Sequence, residues 1–237
     1  MKDLPDGELR EIARAARLDI LDMTARMGGH ATSCFSTVEI LTVLYFGGVL
    51  RYRPGDPSWP ERDRFILSKG HAAPALYAIL ARAGYFPESD LQKFRCIDSP
   101  YHGHPKQNLA IGVEVTSGSL GQGLSFGLGT VLAGRLADRA YRVFVLMGDG
   151  ECDEGQVWEA AMASAHYKAD RLTAVIDYNK YQQTGPIERE MGLEPLAEKW
   201  RAFGWQVEEA DGHDCAGHSA ARAPALTRAG ARGSPGS

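Results

Sequence analysis

Two oxygen-bearing side chains, Asp149 and Asn179, stand at positions typical of a metal site. Asp149 follows the apolar run YRVFVLM within Gly-Asp-Gly, and Asn179 follows a second apolar run, LTAVIDY. A helical segment separates the runs, which predicts a strand, a crossover helix and a parallel strand. Both strands would end at one edge of the sheet, where neighbouring strands lie about 4.8 Å apart. Each residue alone is also typical of a turn. Together they favour a hard cation such as Mg²⁺ or Ca²⁺, clamping a diphosphate.

Three histidines lie beside glycines in the first half of the chain. They are His30 in GGHA, His71 in KGHA and His104 in GHPK. A flanking glycine permits the sharp turn that aims a side chain into a cleft, and imidazole suits proton transfer near neutral pH. A single histidine is more often a surface or packing residue, and that ordinary role is expected for the other four. The repeated pairing favours one shared site for the three.

The elements that must position these residues predict an α/β fold. Strands alternate with helices, which favours a parallel sheet with helices on both faces. The expected elements begin with a helix over 7–27, a helix opened by a capping box at Ser36–Glu39, and a strand RFILS before Lys69-Gly70-His71. After a helix with Pro74 in its first turn come a helix ESDLQKF, the glycine-rich segment 112–123 and a helix through Ala137. The strand–helix–strand unit, a helix EPLAEKWRAFGW and a strand WQVEEAD complete them.

Bulk properties narrow the class of protein. The chain has 237 residues, of which 44% are hydrophobic and 24% charged, as expected for one sizeable α/β domain. Its net charge of -4 gives no reason to expect nucleic acid or an anionic membrane as a partner. No apolar run is long enough to span a bilayer, and the charged N-terminal segment is unlike a signal peptide. The four cysteines show no CxxC spacing, so we expect a reduced, cytoplasmic protein without a zinc site.

The last segment, residues 215–237, differs from the rest of the chain. Ala, Gly, Arg, Ser and Pro dominate it, and the apolar periodicity stops at Cys215. We expect a domain over 1–214, followed by a tail that is mostly disordered or a frayed helix. The abrupt change suggests a frame change or truncation in the coding sequence, a hypothesis that resequencing of the source DNA would test.

The long stretch GDGECDEGQVWEAAMASAHYKADRLTAVIDYNKYQQTG, Gly148 to Gly185, carries a resemblance to a known family. It resembles the thiamine diphosphate motif, which begins with GDG and ends with an Asn about thirty residues later. Its EGQVWEA and AHYK segments are similar to transketolase, and above all to the N-terminal subunit of split transketolases. The resemblance covers roughly residues 8–214 and implies the fold of the diphosphate-binding (PP-type) domain.

The resemblance also implies roles for individual residues. Thiamine diphosphate would be bound with Mg²⁺, for which Ca²⁺ or Mn²⁺ could substitute. The metal ligands would be Asp149, Asn179 and the backbone carbonyl of Tyr181. Gly150 would let the diphosphate approach the backbone, near a helix N-terminus that favours its charge. The remaining cofactor contacts would come from His71, facing the diphosphate, and from the loop Gly118-Ser119-Leu120 beneath the thiamine ring.

Three further residues would act on the sugar or connect subunits. His30 and His104 would hydrogen-bond the donor sugar and help to move protons, although Ala31 and Lys106 replace the family's usual Pro and Glu beside them. Glu154, in the helix after Gly150, would join a carboxylate network near the family's dimer interface. It would also suit the helix dipole alone. A dinucleotide-binding loop is a weak rival at Gly118, because the glycine order is G-x-x-G-x-G and no acidic residue follows at the required distance.

The implied function is transfer of a two-carbon ketol unit from a ketose phosphate to an aldose phosphate. The family's activating Glu belongs to a pyrimidine-binding domain, which this length leaves no room for, so a C-terminal partner subunit is expected. A dimer of heterodimers would follow, and the chain alone would be inactive. The alternatives are a subunit of another thiamine diphosphate enzyme, such as a deoxyxylulose-phosphate synthase or a decarboxylase, and a non-catalytic binding or assembly subunit.

Overall fold

The computed structural model describes residues 3–183, 185–214 and 226–229. The helices are α1 (Asp6–Met27), α2 (Ala31–Phe35), α3 (Val38–Phe46), α4 (Ala73–Ala83), α5 (Gly123–Leu136), α6 (Gly155–His166), α7 (Ile187–Glu190) and α8 (Leu196–Ala202). The strands are β1 (Arg64–Leu67), β2 (Val143–Gly148), β3 (Leu172–Asp177), β4 (Tyr181–Gln182), β5 (Gly185–Pro186), β6 (Trp205–Val207) and β7 (Leu226–Ala229). Short 3₁₀ turns cover Gly70–Ala72, Glu88–Lys93, Leu109–Ile111 and Gly150–Asp153.

A five-stranded sheet in the order β1-β2-β3-β7-β6 forms the centre of the fold. Strands β1, β2 and β3 are parallel, with Gly148 at the end of β2 opposite Asp177 at the end of β3. Strand β7 runs antiparallel to both β3 and β6. The expected parallel sheet is therefore confirmed for its first three strands, and β7 makes the whole sheet mixed.

Alternating side chains of the parallel strands fill two separate cores. Phe65 and Leu67 of β1, with Phe144 and Leu146 of β2, pack among α1, α3 and α4 on one face. Ile66 lies on the other face, where alternate side chains of β2 and β3 pack against α5, α6 and α8. This period of two, with both faces apolar, is what a sheet covered on both sides requires. The predicted α/β architecture is confirmed.

The expected capping box at Ser36–Glu39 is wrong. Helix α3 begins after Thr37, and no side chain caps its N-terminus. Ser36 Oγ donates to Asp177 at 2.6 Å, while Glu39 accepts from the Arg17 guanidinium of α1. Ser36 and Glu39 therefore hydrogen-bond residues that are distant in sequence, and neither caps the helix. The predicted helix ESDLQKF is a 3₁₀ turn over Glu88–Lys93.

The sheet continues beyond the expected domain end at residue 214. Most of the predicted tail, 215–225 and 230–237, lies outside the described residues, and the frame-change hypothesis stays a prediction. Within the tail, Leu226–Ala229 forms β7 between β3 and β6, where no strand was expected. Four residues carry too little alternation to reveal a strand whose pairing is entirely long-range. In the described part of the chain, no helix is both long and apolar enough to cross a membrane.

Candidate functional site

The ends of β2 and β3 bring Asp149 and Asn179 to one edge of the sheet, as predicted. Asp149 directly follows β2, and Asn179 stands two residues beyond β3. The backbone amide of Lys180 donates to Asp149 Oδ2 at 2.8 Å, and the amide of Asp149 donates to the Asp177 carbonyl at 3.2 Å. The two strand ends are thus joined directly by hydrogen bonds.

The Asp149 carboxylate lies in a setting that favours a cation beside it. Only 2% of the residue is exposed, and burial raises the pKa of its carboxyl group, with a further rise from the nearby Asp177 charge. The amides of Gly150 and Lys180 donate to it, and the Lys69 charge opposes the rise in pKa. A divalent cation would relieve the repulsion between the two carboxylates.

The other predicted ligands supply neutral oxygens. Asn179 Oδ1 accepts from the Tyr181 amide at 2.8 Å, in a turn where Lys180 has φ 64°. Tyr181 is 68% exposed, and its backbone carbonyl is the oxygen that the resemblance assigns to a metal. One carboxylate, one amide and one carbonyl form a hard donor set that needs ligands from elsewhere to reach octahedral geometry. Across residues 3–183, 185–214 and 226–229, no three His, Cys, Asp or Glu side chains converge on a metal position.

Two buried polar atoms beside this edge are without a partner in the described structure. Gln182 Oε1 lies against Gly150, where a Cβ would come within 3.1 Å of it, and Ser117 Oγ would lie 2.8 Å from a Cβ at Gly70. Buried polar atoms without hydrogen bonds are costly and call for a missing partner. Together with the Asp149 carboxylate, these two oxygen atoms suit an anionic ligand that is held through a cation. The residues present therefore fit a diphosphate and its metal.

The three histidines predicted to share a site come from loops that meet. The rings of His30 and His71 make an edge contact with their centroids 5.6 Å apart. Gly70, beside His71, is so close to Gly118 that a Cβ would lie 2.8 Å from the Gly118 amide, and a Cβ at Gly118 would lie 3.4 Å from His104 Cδ2. His30 and His104 are exposed, whereas His71 is half-buried. Burial, then the charges of Lys69, His30 and His104, lower the pKa of His71 to about 4, so its ring is neutral at pH 7.

The glycine-rich segment runs beside these histidines. Gly118 has φ 151° and Gly121 has φ 83°, backbone conformations that favour glycine. Gly118 and Ser119 are exposed, and Leu120 is half-buried. Helix α5 starts two residues after Gly121. The predicted cofactor loop is thus an open turn between the His104 loop and α5.

Glu154 lies outside the helix in which it was expected. The segment after Gly150 first forms the 3₁₀ turn Gly150–Asp153, and α6 starts only at Gly155. Glu154 is the extended residue between them, with φ -73° and ψ 125°. It is exposed and packs against Gly121, where a Cβ would lie 2.7 Å from Glu154 Cβ. A 3₁₀ turn and an α-helix share the same sequence signals, so their junction was not visible.

Four buried or half-buried polar residues of the site were not identified from the sequence. Lys69 Nζ bonds Asp177 Oδ2 at 2.6 Å and the Ser33 carbonyl at 3.1 Å, and Ser36 Oγ bonds the same carboxylate oxygen. Glu151 is 2% exposed, and burial raises the pKa of its carboxyl group. Lys69 and Asp177 are 108 positions apart, so no local pattern pairs them. Lys69 and Glu151 had one sequence signal, an ionisable side chain directly beside a Gly-His or a Gly-Asp-Gly motif, and Ser36 and Asp177 had none of this kind.

A family model and the relatives of similar sequence all point to one family. The model of the family described as "Transketolase, thiamine diphosphate binding domain" matches residues 8–232. Transketolase-like protein 2 of Mus musculus is 45% identical over 208 residues, which are 87% of this chain and 33% of that protein. The 6-deoxy-6-sulfo-D-fructose transketolase subunit SqwG of Clostridium sp. (strain MSTE9) is 42% identical over 208 residues, 87% of this chain and 75% of the subunit.

Solved structures agree with these relatives. Transketolase from Campylobacter jejuni superposes with a TM-score of 0.85 at 28% identity, covering 92% of this chain and 35% of that one. Transketolase from Leishmania mexicana gives a TM-score of 0.83 at 29% identity, covering 93% and 34%. The chain thus spans about a third of the length of these enzymes and about three quarters of the SqwG subunit.

Proposed function

The chain belongs to the transketolase family and carries its thiamine diphosphate-binding domain, and from that premise we propose that it is the N-terminal subunit of a split transketolase. The relative named as a transketolase subunit supports this proposal, since it matches 87% of the chain over 75% of its own length. The activity is transfer of a two-carbon ketol unit from a ketose donor to an aldose acceptor. The cytoplasm is the proposed location.

One observation supports the proposed cofactor site above the others: the Lys180 amide bonds Asp149 Oδ2 and so joins the ends of β2 and β3. Asp149, Asn179 and the Tyr181 carbonyl would hold Mg²⁺, or Ca²⁺ or Mn²⁺ in its place. Gly150 leaves the backbone open to the diphosphate, and the loop Gly118-Ser119-Leu120 would lie beneath the thiamine ring. When bound, thiamine diphosphate supplies a carbon nucleophile and an electron sink for the ketol unit.

The three histidines would bind and orient the diphosphate and the donor sugar. His71, neutral and half-buried, is suited to hydrogen-bond the diphosphate without adding a charge. His30 and His104 are exposed in the same group of loops, where their imidazoles can hold donor oxygens and move protons at them. Glu154, exposed beside Gly121, is the residue proposed for the carboxylate network between subunits.

A partner completes the proposed enzyme. It would be a C-terminal transketolase subunit with a pyrimidine-binding domain and the activating Glu, assembled as a dimer of heterodimers. The substrates are proposed to be anionic sugars. Because the name of one relative specifies a sulfonated fructose, both phosphorylated and sulfonated ketoses are donors to test.

The test reconstitutes the two subunits. The full-length chain is mixed with the product of a neighbouring reading frame that encodes a pyrimidine domain, and ketol transfer is followed with each donor class. We expect no turnover by either subunit alone, and turnover by the mixture that requires thiamine diphosphate and Mg²⁺. A complex that binds the cofactor but transfers no ketol unit from any donor would favour a non-catalytic subunit.

A further inference from the structure

Glu151 is a buried carboxylate that none of the roles above uses. It lies in the 3₁₀ turn Gly150–Asp153, directly after the Gly-Asp-Gly that ends β2, and it is 2% exposed. Burying a carboxylate is costly unless hydrogen bonds replace its water. The partners that replace water here come from three separate segments.

Each partner of Glu151 donates a hydrogen bond to it. The Gly121 amide donates to Oε1 at 2.8 Å, the Gly148 amide donates to Oε2 at 3.1 Å, and Ser68 Oγ donates to Oε1. Ser68 Oγ also accepts a hydrogen bond, at 3.0 Å, from the amide of Gly123, which is the first residue of α5. One carboxylate therefore connects the end of β1, the glycine-rich loop and the end of β2.

The packing at this junction is close. A Cβ at Gly123 would lie 2.2 Å from Ser68 Oγ, so only glycine lets the first turn of α5 approach the end of β1. Gly121, the donor from the loop, has φ 83°, which holds its amide in an unusual direction. The spacing of the three segments is consequently set by the hydrogen bonds to Glu151 and Ser68.

Each connected segment continues into a residue proposed to contact the cofactor. Ser68 precedes Lys69-Gly70-His71, Gly121 follows Gly118-Ser119-Leu120, and Gly148 precedes Asp149. We propose that Glu151 is a positioning residue, which fixes the relative placement of these three cofactor-binding loops without touching the reacting atoms. The inference rests on the proposed function, because it concerns the same cofactor site.

The two acceptor oxygens of the group are central to this role. A carboxylate offers acceptors only, and all three partners are donors. Glutamine has nearly the same size but must direct its NH₂ group at one oxygen position, either towards the Gly148 amide or towards the Gly121 amide and Ser68. In Glu151→Gln, the new NH₂ group would therefore face another hydrogen-bond donor. The variant keeps the size of the side chain but removes one acceptor, so it tests the acceptor alone.

The test measures cofactor binding and stability separately, on the full-length chain alone and mixed with the partner subunit. The probe is thiamine diphosphate in excess MgCl₂, titrated by calorimetry, and the thermal midpoint of each apoprotein is recorded. The variants are Glu151→Gln and Ser68→Ala. The matched control is Asp63→Asn. Asp63 is another fully buried carboxylate, which accepts hydrogen bonds from the backbone amides of Arg51 at 3.0 Å and Arg142 at 2.8 Å. It directly precedes β1 and so lies at the opposite ends of the parallel strands from the cofactor site.

We expect Glu151→Gln and Ser68→Ala to weaken cofactor affinity by about tenfold to a hundredfold, the range for a lost hydrogen bond to a charged group. Asp63→Asn should lower the thermal midpoint at least as much yet leave the affinity within twofold. Turnover of the Glu151→Gln complex at saturating cofactor should fall by a smaller factor than its cofactor affinity, since Glu151 positions rather than reacts.

Three results would overturn the inference. Wild-type affinity in Glu151→Gln would do so, as would an equal loss of affinity in Asp63→Asn, because affinity would then merely follow stability. If Glu151→Gln does not fold, Ser68→Ala decides in the same way. A wild-type chain that binds no thiamine diphosphate, with or without its partner, would reject the proposed function itself, and the inference with it.

Discussion

Removal of the Lys69 charge should destabilise the protein strongly. Lys69 Nζ lies 2.6 Å from Asp177 Oδ2, and the two side chains are 2% and 6% exposed. In Lys69→Met the Asp177 carboxylate keeps its bond from Ser36 but loses its counter-charge, with Asp149 nearby. Removing one partner of a buried ion pair costs about 3–5 kcal/mol. The free energy of unfolding of a domain is usually about 5–15 kcal/mol, so this loss would be a large fraction of the total stability.

A double-mutant cycle measures the pair directly. Lys69→Met, Asp177→Asn and the double variant are unfolded with urea at pH 7, and the free energy of unfolding is obtained from tryptophan fluorescence and circular dichroism. The double variant removes both charges, so it should lose less stability than the two single variants added together, by about 3 kcal/mol or more.

Lys93→Met is the matched control, because Lys93 pairs with Asp90 on the surface and its side chain is 59% exposed. It should cost less than about 1 kcal/mol. If Lys69→Met costs no more than Lys93→Met, or if the costs at Lys69 and Asp177 simply add, the buried pair is not a determinant of the site's structure.

Two further predictions concern pH and packing. Since the pKa of His71 is about 4 in the folded chain and 6.5 is its ordinary value, the unfolded chain binds more protons. His71 should therefore favour folding above pH 6.5 and lose that contribution, at most about 3 kcal/mol, as the pH falls towards 4. His71→Asn should flatten this part of a urea-unfolding series, and an unchanged pH slope would contradict the prediction. Gly127→Ala should cost about 1–3 kcal/mol, because its Cβ would lie 2.7 Å from Val145 Cγ2. Gly129→Ala on the same helix, with open space around it, should not lower the thermal midpoint, and equal losses would refute the packing argument.

The sequence was sufficient to predict what depends on local pattern. Apolar runs on either side of a helical segment predicted β2, α6 and β3, and parallel pairing then required Asp149 and Asn179 to meet at one edge. The family and the α/β fold were predicted from that stretch and are confirmed. The roles of the site residues remain proposals.

Contacts between distant segments could not be predicted. Ser36 and Glu39 have the spacing of a capping box, but Asp177 and Arg17 bond them instead. A local capping bond contributes about 1 kcal/mol, whereas a buried carboxylate without partners costs several, so the long-range bonds determine the outcome. Glu151 escaped notice for the same reason, because its partners Ser68 and Gly121 are 83 and 30 positions away.

The most direct test of the proposed metal site is the Mg²⁺ dependence of thiamine diphosphate binding by Asp149→Ala. Affinity is measured by calorimetry on the full-length chain assembled with its partner, in excess MgCl₂ and then in EDTA. The half-buried neighbour Asp153 provides the control, Asp153→Ala. We predict that the wild type and Asp153→Ala bind only with Mg²⁺, and that Asp149→Ala loses this binding. Wild-type, Mg²⁺-dependent affinity in Asp149→Ala would contradict a metal held at the ends of β2 and β3.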